Sequence, residues 1–347
     1  MKEAFLYDKL ENKVVRCNAC FRKCVISEGK LGFCMVKKNI DGKLYSLVYG
    51  KLIAENLDPI EKKPLFHFWP GSTAYSIATV GCNYRCQFCC NWDISQEKEI
   101  IGNNRTPEDV VNQARRYKAL AISYTYTEPT INLEFAYDTS KLANQYGIKN
   151  TFVTNGSMSP EAIELISKYL DAATVDFKGN ANKIFYLKRM SVPSANHIFE
   201  ALLALKEKHV HIEITNLVVP KEGDSLEDLK VLIRWIVENL GLEVPLHILR
   251  FFPNYMMSDV PPTPVETIEK SIKLAKELGL RYVYAGNLPG HESENTYCPS
   301  CGTPLIERNG FFINKVNLTK DSRCPNCGEK IPIVGQAKAS SFDFFNL

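Results

Sequence analysis

Cys82, Cys86 and Cys89 stand in the stretch Gly81-Cys82-Asn83-Tyr84-Arg85-Cys86-Gln87-Phe88-Cys89-Cys90-Asn91-Trp92, a C-x3-C-x2-C pattern with an aromatic residue before its third cysteine. Three thiolates at this spacing can take three corners of one [4Fe–4S] cubane, a cluster that ordinarily has four cysteine ligands. The fourth iron then lacks a protein ligand, and an open coordination position is what chemistry at a metal requires. Zinc and plain buried thiols are the competing readings. Zinc asks for four tetrahedral ligands, usually from two separated C-x2-C pairs. Cys90 could supply the fourth, but two adjacent cysteines clamp one ion poorly.

The other cysteines form two further sets of four. Cys17, Cys20, Cys24 and Cys34 read C-x2-C-x3-C-x9-C, with Gly29 and Gly32 in the long loop to allow a tight wrap. Four ligands close a coordination shell, so this site is structural or electron-transferring. Zinc is the commoner occupant of a four-cysteine knuckle, whereas the three-cysteine start also suits an auxiliary iron–sulfur cluster; both stay open, with zinc slightly ahead. Near the C-terminus, Cys298-Pro299-Ser300-Cys301-Gly302 and Cys324-Pro325-Asn326-Cys327-Gly328 repeat C-P-x-C-G. Between them two alternating segments flank Asn309-Gly310, a hairpin signal, and the whole reads as a zinc ribbon, with rubredoxin-like iron the minor alternative.

The elements that must position the central cysteines are legible as alternating apolar runs and amphipathic segments. The run 74–80 reads as a buried strand ending at the cysteine loop. Thr106-Pro107 opens a helix to about 118, followed by a strand 119–124, a helix 130–145 and a strand 150–154. Ser159-Pro160 starts the next helix, then come a strand 171–177, a helix 193–208 and a strand 209–219. A helix 225–240 with a capping box at Ser225 and Asp228, a strand 246–252, a helix 264–278 and a short strand 281–285 complete the series. Six to seven such units predict an α/β fold with a parallel sheet, either doubly wound or a barrel. In both, reactive residues collect at the C-terminal ends of the strands. Those ends carry Cys82, Thr127-Glu128-Pro129, Thr154-Asn155, Asp176-Phe177-Lys178, Thr215-Asn216 and Arg250. Ahead of the series, residues 43–54 read as a strand pair, and the aromatic, turn-rich segment 63–71 as a strap laid over the main domain; His67 there is read as packed. The expected domains are an N-terminal four-cysteine segment (1–72), the strand–helix domain (73–290) and the ribbon (291–347).

The chain has 347 residues, and its 42 basic and 39 acidic side chains give a net charge of +3. That balance offers no electrostatic case for nucleic acid or an anionic membrane. No apolar run approaches a membrane span, and the N-terminus has no secretory core. A cytoplasmic location follows as the expectation, and twelve cysteines there mean metal ligands rather than disulfides.

With these residues in hand the chain resembles the radical S-adenosylmethionine (SAM) superfamily, close to the glycyl-radical-enzyme (pyruvate formate-lyase) activating enzymes. Within that branch it is similar to the AmmeMemoRadiSam system radical SAM enzymes. The resemblance runs through the N-terminal quartet, Tyr49-Gly50-Lys51, the stretch Asp58 to Leu65, the cysteine loop, Thr125 to Thr130 and the ribbon. It implies an open partial (β/α)6 barrel and an oxidoreductase that cleaves SAM reductively to a 5′-deoxyadenosyl radical, with a ferredoxin or flavodoxin as electron donor. It implies that Cys82, Cys86 and Cys89 hold the cluster and Phe88 packs near adenine. Thr127 and Glu128 would hold SAM's amino group, Thr154 and Asn155 its methionine part, and Asp176 and Lys178 would lie beside it. Asn216 and Arg250, at strand ends, complete the expected cofactor-binding set. The family name further implies companions of the Memo and AMMECR types. Two positions depart from the activases: Thr215 stands for their arginine and Tyr255 for their histidine. The alternatives are a glycyl-radical-enzyme activase and a non-catalytic, metal-dependent interaction protein.

Overall fold

Residues 1–340 are described by the computed structural model; 341–347, the end of the expected ribbon segment, lie outside the described residues. Seven strands are laid down in sequence order and pair in parallel: Thr73–Ala78, Ala121–Tyr124, Lys149–Thr154, Ala172–Lys178, His211–Val218, Leu246–Arg250 and Val283–Gly286. A doubly wound sheet would reverse direction at a switch point. This order never reverses, so the chain winds one way round, as a barrel does. The first and last of the seven do not pair with each other, which leaves the barrel open, and Ala54–Pro59 adds an antiparallel edge strand beside Thr73–Ala78.

Side-chain caps fix several of the helices that alternate with the strands, while Leu133–Gln145, Asn196–Glu207 and Val265–Glu277 begin without one. Thr106 and Asp109 form a reciprocal capping box on Pro107–Arg116, and Ser159 accepts from Ala162 N at the head of Pro160–Ile166. Ser225 accepts from Asp228 N, but the returning arm of the expected box is missing, because the Asp228 carboxylate accepts from Asn182 Nδ2 at 2.8 Å. The single helix expected over 130–145 is a 3-10 turn, Pro129–Asn132, followed by Leu133–Gln145, since the Glu128 side chain captures Thr130 N. A helix at Lys183–Met190, capped by Asn182, lies where no element was expected.

Residues 63–71 go into the barrel rather than over it. Leu65 and Phe68, with Ile60, pack against Ala74, Ala121 and Ala172, whose small side chains leave room for a plug in the barrel floor. The plug's own backbone is held by the buried Glu213 carboxylate, which accepts from Phe66 N and His67 N, and His67 Nε2 meets the Tyr284 hydroxyl at 2.6 Å. Burial lowers the His67 pKa to about 3, so this ring is a neutral packing element.

The N-terminal segment makes small antiparallel sheets. Lys43–Ser46 pairs back onto Lys37–Ile40, and Lys51–Leu52 pairs with Asn103–Asn104, so residues 43–54 are not the self-contained strand pair expected. The Lys37 ammonium reaches across to Glu134 at the start of Leu133–Gln145 and pins this segment to the barrel; the two side chains are 2% and 1% exposed. At the other end Thr296–Tyr297, Pro304–Asn309 and Phe312–Val316 form the ribbon sheet. The buried Arg308 guanidinium ties it to the plug through Phe66 O and to Thr296 Oγ1 and Glu294 O. Among the described residues no helix is long and apolar enough to cross a membrane.

Candidate active site

The loop after Thr73–Ala78 is held from both sides. Gly81 has φ +91°, and a Cβ there would lie 2.6 Å from Val36 Cγ1 and 2.8 Å from Cys34 O. Only glycine lets the strand turn so sharply under the N-terminal segment. Arg85 locks the turn, giving Nη1 to Cys82 O at 2.6 Å and Nη2 to Phe33 O. On the barrel side Arg85 N and Gln87 N bond to Met190 O and Arg189 O, which explains why the Lys183–Met190 helix matters here. Burial pushes the Cys82 thiol up to about 12 and raises the Cys86 thiol well above its ordinary value. Three part-buried thiols on one loop are the soft donors that an iron–sulfur cluster takes, so this donor set fits a metal cluster. Phe88 is buried and stacks on Phe185 at 5.6 Å; Cys90, next to Cys89, is exposed.

Beside the loop, strand ends meet at Glu128. Its carboxylate accepts from Thr130 N at 3.1 Å, from the Thr130 hydroxyl, from Thr154 Oγ1 at 2.8 Å and from Asn155 N at 2.8 Å. Burial raises its pKa, and these donors oppose that shift. Glu128, Thr154 and Asn155 are therefore one unit, with the acid as anchor of the other two. Asn155 Nδ2 continues to Asn83 Oδ1 at 2.9 Å, which links the unit to the cysteine loop. Thr127 Oγ1 donates to Thr79 O.

A second unit lines the lumen. Strand pleating puts Thr174, Asp176 and Lys178 on one face, and Thr174 donates to Lys63 O inside the barrel. Lys178 Nζ pairs with Asp176 Oδ2 at 2.9 Å, and Thr215 Oγ1 donates to the other carboxylate oxygen. Deeper in, Asp58 binds Lys63 Nζ at 2.6 Å and accepts from the Tyr126 hydroxyl, which in turn receives Asn56 Nδ2. Burial lowers Lys63 to about 8, still protonated near neutrality, while burial of Asp58 is outweighed by Lys63 and Tyr126, which hold its carboxyl below the usual range. The pair stays ionised. Ser123 and Thr151, side by side on neighbouring strands, carry buried hydroxyls with no partner among the described residues. Sequence reasoning gave the stretch Asp58 to Leu65 no chemical role. Nothing in the local pattern shows that the antiparallel edge strand turns Asp58 inward.

Asn216 and Arg250 stand apart from both units. Asn216 lies on the opposite face of its strand from Thr215 and exchanges hydrogen bonds with Asn180. Arg250 Nε is committed to Thr263 O at 2.7 Å. At the mouth, Trp92 stacks on Tyr255 at 5.0 Å, and Phe252 and Met256 are exposed nearby in sequence.

The ribbon cysteines are drawn together. Cys298, Cys301, Cys324 and Cys327 form a group whose sulfurs all lie within 4.8 Å of one another, a cage that a metal ion could occupy.

Residues 76–236 match the family model of the radical SAM superfamily. An uncharacterized protein of Methanocaldococcus jannaschii is 48% identical over 337 residues, 96% of this chain and 100% of that protein. A pyruvate formate-lyase-activating enzyme of Listeria monocytogenes is 27% identical over 59% of this chain and 79% of its own. The crystal structure of Streptococcus suis SuiB bound to S-adenosylmethionine superposes with a TM-score of 0.50 and 14% identity, covering 66% of this chain and 53% of that one.

Proposed function

The chain belongs to the radical SAM superfamily, whose members are enzymes, and from that premise we propose that Cys82, Cys86 and Cys89 hold a [4Fe–4S] cluster for the reductive cleavage of SAM. When bound, the cluster and SAM together supply a 5′-deoxyadenosyl radical able to abstract hydrogen from a substrate carbon. The three-cysteine loop closing the mouth of a lumen lined by ionised and hydroxylated side chains carries this reading. Phe88 offers an apolar surface for the adenine, and the Glu128–Thr154–Asn155 unit presents a negative rim for SAM's ammonium group. Asp176 and Lys178 hold charge beside the cofactor. Asp58, Lys63 and Tyr126 position a polar, hydrogen-bonding substrate against the lumen wall, and Ser123 and Thr151 offer it further hydroxyls. Asn216 and Arg250 brace the strand ends. The plug at Leu65 and Phe68 closes the floor against water.

The electron donor is a ferredoxin or flavodoxin and the ribbon that begins near 291 carries zinc; the segment ahead of Ala54 holds the N-terminal metal site, and the catalytic barrel takes in Ala54–Pro59 and the plug 63–71 besides 73–290, in a reducing cytoplasm. Memo-type and AMMECR-type proteins are the proposed companions. A second reading, activation of a glycyl radical enzyme, is favoured by the similarity to the Listeria activating enzyme and by exposed Trp92, Phe252, Tyr255 and Met256 near the mouth. Thr215 and Tyr255, in place of the arginine and histidine the resemblance leads one to expect, weigh against it. The test is anaerobic: reconstituted protein, dithionite and SAM should yield 5′-deoxyadenosine, and Cys82→Ala should abolish it. Unchanged product formation in Cys82→Ala would sink the proposal.

A further inference from the structure

Cys17, Cys20, Cys24 and Cys34 gather on the flank of the cysteine loop. Cys17 N bonds to Cys24 O at 2.9 Å, and Cys17 lies within electrostatic reach of Cys20, Cys24 and Cys34. Their spacing differs from that of the ribbon. Among the described residues the ribbon quartet is the one set of three or more such ligands whose donor atoms all lie within 4.8 Å. Its Cys298–Cys327 and Cys301–Cys324 sulfur separations are 3.5 and 3.7 Å. Zinc–sulfur bonds of about 2.3 Å in a tetrahedron place sulfurs about 3.8 Å apart, so the ribbon is already a single-ion cage. A cubane interposes iron and sulfide between its thiolates and needs a wider cage. Among the N-terminal four, and among Cys82, Cys86 and Cys89, no three sulfurs all lie within 4.8 Å of one another, so neither set makes the compact single-ion cage of the ribbon.

We infer that the N-terminal quartet holds an iron–sulfur cluster rather than zinc, and that this cluster feeds electrons to the loop of Cys82. Four cysteines leave it no open iron, so it binds neither SAM nor substrate. Its placement suits transfer. The Cys20 thiol contacts the Asn83 side chain, and Asn83 Oδ1 lies 4.0 Å from Cys82 Sγ. Asn83 is fully buried and fixed by Ser157 Oγ at 2.6 Å and by Asn155 Nδ2. Cys34 O presses on Gly81 at the other side of Cys82. One buried amide therefore separates the two sulfur sets. In the step, the reduced N-terminal cluster loses one electron and the cluster on Cys82, Cys86 and Cys89 gains it. No bond is made or broken, and a one-electron reductant of the ferredoxin or flavodoxin class restores the first cluster. The relay role, though not the site, rests on the radical SAM reading.

The experiment is metal and sulfide analysis with EPR on the anaerobically reconstituted full chain. Wild type should carry about eight irons and eight sulfides with about one zinc. Cys20→Ser/Cys24→Ser should lose half the iron and keep the zinc, while Cys82→Ala/Cys86→Ala/Cys89→Ala should lose the other half. The dithionite-reduced wild type should show spin–spin broadening that either variant removes. Wild type with about four irons and two zincs, a count needing no variant, overturns the site. Full iron without broadening overturns the relay. A triple variant that keeps all its iron instead refutes the radical SAM reading and leaves the N-terminal site standing.

Discussion

Replacing Lys37 by methionine should loosen the N-terminal segment far more than the loss of one contact suggests. Lys37 and Glu134 are a buried pair, and Glu134 Oε1 also accepts from Phe5 N at 3.2 Å. Lys37→Met leaves a carboxylate in the interior with its cation gone, which costs about 3–5 kcal/mol. Lys37→Met/Glu134→Gln removes the charge but keeps a carbonyl for Phe5 N, so it should recover at least about 2 kcal/mol of that loss. The cost falls on docking of the segment, so it should appear as local opening of the Lys37–Ile40 and Lys43–Ser46 hairpin. Hydrogen exchange by mass spectrometry reads it directly. Protection there should fall by about two to four orders of magnitude in the single variant and partly return in the double. A single variant within tenfold of wild type, or a double variant no better than the single, would refute the reasoning.

Other perturbations follow from the same geometry. The unfolded His67 ring takes up a proton near pH 6.5, whereas the folded ring resists it down to about pH 3. Stability should therefore fall with pH through that window by about 1.4 kcal/mol per unit, or about 2 kcal/mol by pH 5. Urea midpoints at pH 7 and 5 should differ less in His67→Asn than in wild type, and an equal difference would contradict the assignment. Gly81→Ala forces a side chain into a left-handed turn against Val36 and Cys34, costing about 2 kcal/mol or more. Its iron content after identical reconstitution should drop, and full loading would show that the turn tolerates a side chain.

Much of the barrel was legible because its strands are built round apolar runs and several helices begin on a cap such as Thr106 or Ser159. Sequence could not choose between a barrel and a doubly wound sheet, since periodicity carries no strand order; the unreversed pairing decided it. The plug was misplaced outside the barrel because its fit depends on alanines at 74, 121 and 172, remote from it in sequence and unremarked as a set. The helix Lys183–Met190 was missed because it is short and its cap, Asn182, follows a tight turn rather than an apolar run. Within the site, cysteine spacing stood out because metal ligation demands it. The Asp58–Lys63–Tyr126 group did not, because Tyr126 reaches Asp58 across 68 positions only after the edge strand pairs antiparallel. Glu128 was singled out, but its hold on Thr154 and Asn155 is a property of converging strand ends that no linear pattern encodes.

The most direct measurement is the EPR spectrum of the reduced, reconstituted protein with and without SAM. An iron of the Cys82 cluster left free of protein ligands should take the cofactor, so SAM should shift the g-values of one reduced signal, and that signal should vanish in Cys82→Ala/Cys86→Ala/Cys89→Ala. A spectrum that SAM leaves unmoved, from protein fully loaded with iron, would contradict the account.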